Sequence, residues 1–379
     1  MKKNYLLFSC SILLAFSCSA PKNNEENQSL NSIVWELQIL DSIQVDYLGN
    51  ISTGDFSEGI GLIYDYTANT IVKIDYDGKV LTTQTFPKDG PNSISFISTI
   101  KIDPEGNPLI SNHHGPFYKL NGDLTIQREI EMPFTSPPMG GLMDDKSLEF
   151  WQENILLYYT GRDDVGPFTE NYLKEYFLLE KLNPTTGESS PLIRTPETSK
   201  FSTGKFYERP SISFTISEND LLLYFNNEPK IHRFNLLDSG SFIETIDLKP
   251  TKFIEAPELK DKYENYNYEK LVEGNVFGVF AEENQFVVHY SEGISEEIYS
   301  TQEFDFPKDF PKLIDLNQSY LKVYNSEKGW SNEIPIPKKV YKIFAMEGLN
   351  QPFFALRNDE YLGEEQDYLT FYKLQLVQK

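Results

Sequence analysis

Six times along this chain a long cation sits between apolar or aromatic neighbours in one short context. The copies are Val72-Lys73-Ile74-Asp75, Tyr118-Lys119-Leu120-Asn121, Glu180-Lys181-Leu182-Asn183, His232-Arg233-Phe234-Asn235, Leu321-Lys322-Val323-Tyr324 and Tyr372-Lys373-Leu374-Gln375. Five of them lead into turn residues, namely Asp77-Gly78, Asn121-Gly122, Asn183 to Gly187, Asp238 to Gly240 and Asn325 to Gly329, chemistry that closes hairpins. Upstream of most copies lies an apolar run such as Ile155 to Tyr159, Leu221 to Phe225, Phe286 to Tyr290 or Phe353 to Leu356, preceded in turn by a tight turn and a further run. Each unit therefore reads as four short antiparallel strands. No 3.6-residue apolar stripe is sustained anywhere, so the chain is expected to be all-β.

Small sheets repeated at this scale must bury their faces on one another, which predicts a β-propeller. Six four-stranded blades are expected. The longest gap between copies, from Arg233 to Lys322, holds two polar stretches, Pro250 to Gly274 and Ser291 to Lys312. They read as insertions, with a degenerate seventh blade as the alternative. The last copy ends close to Lys379, which leaves no room for its fourth strand. The apolar segment Ile33 to Tyr47 can supply that strand, so the ring is expected to close by an N-terminal strand completing the last blade, with no open edge.

The first residues carry a different signal. Lys2 and Lys3 precede an apolar run from Tyr5 to Phe16, and Ala15-Phe16-Ser17-Cys18 then places small residues before a cysteine. This arrangement reads as a bacterial lipoprotein signal peptide over residues 1–18, with acylation of Cys18. The run is too short to span a bilayer, which takes about 20 apolar residues. Acylation at Cys10 would leave almost no apolar core before it, and a soluble secreted product is the competing reading. Residues 19–31 are polar, rich in Asn and Glu, and read as a flexible tether. The single propeller domain is expected over 32–379. Cys10 and Cys18 are the only cysteines, so the mature domain holds no disulfide and depends on burial for its stability.

The chain carries 34 Lys and Arg against 57 Asp and Glu, a net charge of -23. That balance disfavours nucleic acid and anionic lipid surfaces, which need clustered cations. Membrane contact is expected only through the N-terminal lipid.

The segment Ile100-Lys101-Ile102-Asp103-Pro104-Glu105-Gly106-Asn107-Pro108-Leu109-Ile110, continuing through Phe117-Tyr118-Lys119-Leu120-Asn121-Gly122-Asp123, resembles an NHL-type propeller repeat. With the leader, the chain as a whole resembles the six-bladed propeller lipoproteins of Bacteroidetes-type bacteria, many of them in families of unknown function. The resemblance implies a fold and an envelope address. It brings no catalytic residues with it.

Connections of two kinds differ in length. Turns between the first two strands of a unit are short, as in Asp103 to Asn107, Glu218 to Asp220 and Glu282 to Asn284, and so are those between the last two. The others are long, including Pro133 to Lys146, Gly161 to Tyr172, Thr195 to Arg209, Pro250 to Gly274 and Ser291 to Gln318. In an antiparallel blade these long connections emerge on one side, so a ligand is expected on that face. Candidate binding residues there are His113 and His114, Arg162-Asp163-Asp164, and Asp89 with Asn92. Adjacent strand residues face opposite ways, which argues against His113 and His114 sharing a metal. Two adjacent acids fall short of a calcium shell. Asp75-Tyr76-Asp77-Gly78 lacks the glutamate of a calcium loop and reads as a hairpin turn. His232 and His289 fall on strand patterns and read as packing or rim residues.

No Gly-x-Ser-x-Gly elbow, His-Glu-x-x-His helix, phosphate-cradling loop or cysteine nucleophile occurs. No cofactor or metal is expected. The leading expectation is a monomer that binds a small ligand or an envelope protein without catalysis. A hydrolase or lyase acting on carbohydrate or peptide is the alternative, and a structural subunit of an envelope complex is a third reading.

Overall fold

The computed structural model describes residues 34–90, 93–94, 96–112, 116–132, 146–158, 172–205, 207, 210–260, 272–305 and 308–379. Within them the strands form six antiparallel sheets arranged as the blades of a propeller. Blade 1 comprises β2 (Ile51–Ser57), β3 (Ile60–Asp65), β4 (Thr70–Asp75) and β5 (Val80–Thr85); blade 2 comprises β6 (Ile97–Ile102), β7 (Pro108–Asn112), β8 (Phe117–Leu120) and β9 (Ile126–Ile130). Blade 3 follows as β10 (Leu148–Trp151), β11 (Asn154–Tyr158), β12 (Phe177–Leu182) and β13 (Ser189–Arg194). Blade 4 is β14 (Ile212–Ser217), β15 (Asp220–Phe225), β16 (Lys230–Asn235) and β17 (Ser241–Asp247).

Blade 5 contains β18 (Asn275–Glu282), β19 (Gln285–Ser291), β20 (Ser319–Asn325) and β21 (Gly329–Trp330), and β22 (Ile334–Pro335) also pairs with β20. In blade 6, β23 (Val340–Ile343) and β24 (Phe353–Arg357) lead to β25 (Leu369–Gln378), and the outer place is taken by β1 (Trp35–Val45). That pairing runs from Trp35 opposite Gln378 to Val45 opposite Leu369, with one irregularity between Ile39 and Asp41. The expected closure by an N-terminal strand is therefore observed. Among the described residues between Arg233 and Lys322 no seventh sheet occurs; β17, β18 and β19 lie in that gap, with the two insertions around the last two.

All six motif cations fall on the third strand of a blade: Lys73, Lys119, Lys181, Arg233, Lys322 and Lys373. Several hold turns. Lys119 pairs with Asp103 at 2.8 Å and Glu105 at 2.9 Å, Arg233 pairs with Asp220, and Lys73 donates to the Gly122 carbonyl of blade 2 at 3.1 Å.

The core is a set of blade-to-blade seams. In β3, Leu62 and Tyr64 pack toward blade 2 while Ile63 packs toward blade 6. In β15, Leu221, Leu223 and Phe225 face blade 3 while Leu222 and Tyr224 face blade 5. A pleat sends successive side chains to opposite faces, and here both faces are buried, which is why these strands are unbroken apolar runs. Burying a Leu, Ile or Phe contributes roughly 1.5–3 kcal/mol, and six such seams stabilise the ring without a disulfide.

The first strands of successive blades lie side by side around the axis, β2 against β6 and β14 against β18 among them. Turns from first to second strand and from third to fourth emerge on one face, the short-turn face. The insertions emerge on the other.

Candidate functional site

Four of the six first strands are interrupted at the same place, just inside the long-loop face. The register slips between Ile51 and Thr53 in β2, between Ile97 and Thr99 in β6, between Val276 and Gly278 in β18, and between Val340 and Lys342 in β23. Each bulge leaves one residue outside the ladder: Ser52, Ser98, Phe277 and Tyr341. A bulge bends the strand and re-aims the extra side chain. In the adjacent blades 5 and 6 that side chain is aromatic and exposed, Phe277 by 41% and Tyr341 by 60%.

A cavity of about 450 Å³ lies between these two bulges. One wall is α3 (Phe310–Leu316), carried by the insertion between β19 and β20, which contributes Leu313 and Ile314. Ile336, Val340 and Ile343 form an apolar surface around the entry to β23. The polar lining is His289 on β19, Lys342 on β23, Asn317, Ser319, Asn358 and, from the start of blade 3, Lys146.

Local geometry fixes the cations. The bulge in β18 places Gly278 opposite His289, and a Cβ on Gly278 would stand 3.1 Å from Lys146 Cε. Absence of a side chain at Gly278 lets the lysine stem lie there, with Nζ 4.5 Å from the centre of the Phe280 ring, a cation–π distance. The Lys146 carbonyl accepts the Phe214 amide at 3.2 Å, which anchors its backbone to β14. Lys342 Nζ donates to the Ser52 carbonyl at 2.8 Å. Burial, assisted by the Lys146 charge, pushes the His289 imidazole down to about 3. His289 is therefore neutral near pH 7, with one nitrogen donating and one accepting; its ring lies 4.8 Å from that of Phe277.

A second cavity, of about 270 Å³, occupies the axis toward the short-turn face and is lined by the first strand of every blade or the residues flanking it, Lys146 among them, so that Lys146 lines both cavities. Its charges are satisfied internally. Lys101 pairs with Glu149 at 2.8 Å, and Asp55 accepts the Ile102 amide at 2.8 Å. Burial pushes Glu149 up from the usual carboxylate range, against the pull of Lys101. Glu347 accepts the Tyr76 hydroxyl and the Glu58 amide, both at 2.8 Å.

Ser199, Glu228 and His232 also meet, and all three are buried. Ser199 Oγ donates to Glu228 at 2.7 Å, whereas His232 Nε2 stands 3.4 Å from that same carboxylate oxygen. Both groups address the acid and neither addresses the other, so no base activates the hydroxyl. Glu228 also accepts the Lys200 amide at 2.8 Å and so ties the blade 3 to blade 4 connection to the loop after β15. His232 is a packing residue, as its strand pattern implies.

Of the sequence-derived candidates, Cys18, Asn92, His113, His114, Arg162, Asp163 and Asp164 lie outside the described residues. Asp89 is exposed on the connection from β5 to β6 and lines neither cavity. Asp75 to Gly78 is a hairpin turn, in which Asp75 Oδ1 accepts the Asp77 and Lys79 amides at 3.0 and 2.9 Å and Gly78 takes a φ of 87°. Among the described residues no group of three His, Cys, Asp or Glu is placed to hold a metal ion. Sequence reasoning missed Lys146, Phe277, Tyr341 and Lys342. A signal existed: Ile51-Ser52-Thr53, Ile97-Ser98-Thr99, Val276-Phe277-Gly278 and Val340-Tyr341-Lys342 occupy equivalent places, and only two are aromatic.

Solved structures of the same architecture were found. A DUF4221 family member from Bacteroides vulgatus superposes with a TM-score of 0.67 at 13% identity, covering 91% of this chain and 99% of that one. The likeness is one of fold. A candidate exported protein from Bacteroides fragilis gives a TM-score of 0.58 at 11% identity, with 90% and 95% covered. No family model matches this chain, and no curated protein matches it. No helix among the described residues is long and apolar enough to cross a membrane.

Proposed function

We propose that this chain is a lipid-anchored protein of the bacterial envelope whose propeller binds a small ligand at its long-loop face without converting it. The observation that carries the binding half is the cavity of about 450 Å³ between blades 5 and 6, within the ~300–1,000 Å³ typical of ligand pockets. It combines an apolar surface, two exposed aromatic rings and a few polar groups, and it sits where two bulges distort a rigid scaffold. The Met1 to Cys18 leader supports the anchor, and the fold shared with an exported Bacteroides candidate agrees with that address. The absence of catalysis is inferred from the site chemistry: the described lining offers a neutral imidazole and ammonium groups, with no nucleophile and base placed as a pair.

A thermal-shift panel of organic acids, sugars and short peptides at millimolar concentration tests the binding. Some compound should raise the melting temperature of the wild-type chain and leave Ser319→Phe, which fills the cavity, unaffected. NMR of the recovered compound should find it unchanged. Equal shifts in both proteins, or chemical conversion of the compound, would overturn the reading. Loss of fatty-acid labelling in Cys18→Ser checks the anchor separately.

A further inference from the structure

We infer that the cavity between blades 5 and 6 takes an uncharged molecule, an apolar body with one polar end that both donates and accepts hydrogen bonds, as a primary amide or a hydroxyl does. The inference rests on reading this cavity as the ligand site and adds the class of ligand. It is carried by the polar groups of the lining that the protein leaves without a partner. Among the described residues, neither ring nitrogen of His289 takes part in a hydrogen bond, nor do Ser319 Oγ and Asn317 Nδ2, and all three residues line the cavity. Their neighbours are satisfied. Asn317 Oδ1 accepts the Gly293 amide at 2.9 Å, and in Asn358 Oδ1 accepts the Tyr361 amide at 3.1 Å while Nδ2 donates to the Lys338 carbonyl at 3.3 Å.

Strand register brings these groups together. In the pairing of β19 with β20, His289 lies opposite Leu321 and Ser291 opposite Ser319. Residues two apart share one face of a strand, so His289 and Ser319 are diagonal neighbours on the same face. Ser291 shares that face, and its buried hydroxyl has no partner either, so the strip is not satisfied from within. Asn317 stands two residues before Ser319, just after α3 (Phe310–Leu316). Its Oδ1 is held by the Gly293 amide, which leaves the amide nitrogen as the group still to be met.

Hydrogen-bonding capacity then sets the head group. A neutral imidazole offers one donor and one acceptor, a hydroxyl can act either way, and an amide nitrogen only donates. A carboxylate only accepts and would leave the imidazole acceptor unmet. An ammonium only donates, would leave Asn317 unmet, and would enter a lining that contains two lysines and, among the described residues, no Asp or Glu. Those lysines are committed within the protein: Lys342 donates to the Ser52 carbonyl at 2.8 Å, while Lys146 stands 4.5 Å from the centre of the Phe280 ring and its charge acts on Glu149 of the axial cavity. A wholly apolar occupant would strip water from three polar groups and replace it with nothing, which is unfavourable. The apolar body would meet Leu313, Ile314, Ile336 and Ile343, with Phe277 and Tyr341 exposed at the entrance. Planar rings at the mouth and aliphatic side chains behind them fit an aromatic body.

Isothermal titration calorimetry of the purified full chain with 2-naphthamide, 2-naphthoate and 2-naphthylmethylamine tests the inference. The three probes share one apolar body and differ in head group, the amine being protonated at pH 7. Naphthamide should bind at least ~10-fold tighter than either charged probe, a difference of about 1.4 kcal/mol. His289→Phe, which keeps a ring and removes both nitrogens, should erase most of that preference, and Ser319→Ala should reduce it. Ser319→Phe should abolish binding of all three probes. A charged probe that matches or exceeds naphthamide, its binding still abolished by Ser319→Phe, would overturn the uncharged class and leave the ligand site standing. A preference undiminished in His289→Phe would overturn the assignment of the head group to these unpartnered atoms. Binding indifferent to Ser319→Phe would overturn the site itself, and failure of all three probes to bind would overturn the inference.

Discussion

The backbone amide of Lys379 donates to the carbonyl of Val34 at 2.8 Å. The last residue of the chain thus lies beside the first described one, and β1 and β25 form a continuous antiparallel pair. Trp35 adds a side-chain tie, its amide donating to Asn332 Oδ1 at 2.8 Å while Asn332 Nδ2 donates back to the Trp35 carbonyl at 3.0 Å. Because the ends are adjacent, a short turn joining Lys379 to Val34 should permit a permuted chain that begins at Asp46 and ends at Val45. Its melting temperature should stay within a few degrees of the original order. Deleting residues 34–45 instead exposes the edge of β25 and should cause aggregation, measured by light scattering, together with a large drop in melting temperature.

Stability should fall with acid in two separable windows. Burial pushes Glu228 up, but the His232 imidazole, the Lys200 amide and the Ser199 hydroxyl outweigh it and hold the carboxyl at about 2. A depressed carboxyl contributes stability above its unfolded value of 4.5, lost as pH falls toward 2, here roughly 3 kcal/mol. His289 titrates at about 3 against 6.5 when unfolded, so below 6.5 the unfolded chain binds a proton that the folded one refuses. Stability from this group is complete above pH 6.5 and declines as pH drops from there. Urea midpoints measured across pH should show His289→Gln flattening the upper window and Glu228→Gln flattening the lower one.

Two buried asparagines hold the long-loop face. Asn69 Nδ2 donates to the carbonyls of Phe86 and Ile94 at 2.8 and 2.7 Å, and Asn227 Nδ2 donates to Gly274 at 2.8 Å and Ile254 at 3.2 Å. Each sits after the second strand of its blade and grips the connection leading to the next. Asn227→Leu should strand those carbonyls at a cost of roughly 1–3 kcal/mol, and hydrogen exchange should accelerate in residues 250–260 more than in the strands.

Tyr341 is 60% and Phe277 41% exposed, so truncating them costs less than truncating a core ring. The double variant Phe277→Ala/Tyr341→Ala should keep the wild-type melting temperature within about 2 °C while weakening the compound found by thermal shift at least ~10-fold, given that an aromatic contact is worth about 0.5–1.5 kcal/mol beyond its buried area. A large loss of stability would instead assign the two rings to the core.

Much of the architecture was legible because one position repeats: every motif cation lies on a third strand, and the shortfall after Lys373 required the strand that β1 supplies. Two insertions widened the fifth copy without hiding it. The cavity was not legible in the same way. Lys146 and Lys342 are far apart in sequence and line one cavity only because the ring brings blade 3 and blade 6 around it. Val276-Phe277 and Val340-Tyr341 look like ordinary strand entries; the bulges that expose their rings depend on register against β19 and β24. His113 and His114 drew attention through their chemistry, whereas His289 gains its setting from Gly278, the residue opposite, and from the Lys146 charge.

The most direct test of the ligand site is a crystal of the chain soaked in a brominated form of the compound that the thermal-shift panel identifies, with data collected at the bromine edge. One strong anomalous peak is expected between α3 and β23, with the compound lying against Phe277 and Tyr341. Peaks confined to the short-turn face or the outer strands, with this cavity empty at full soak, would contradict it.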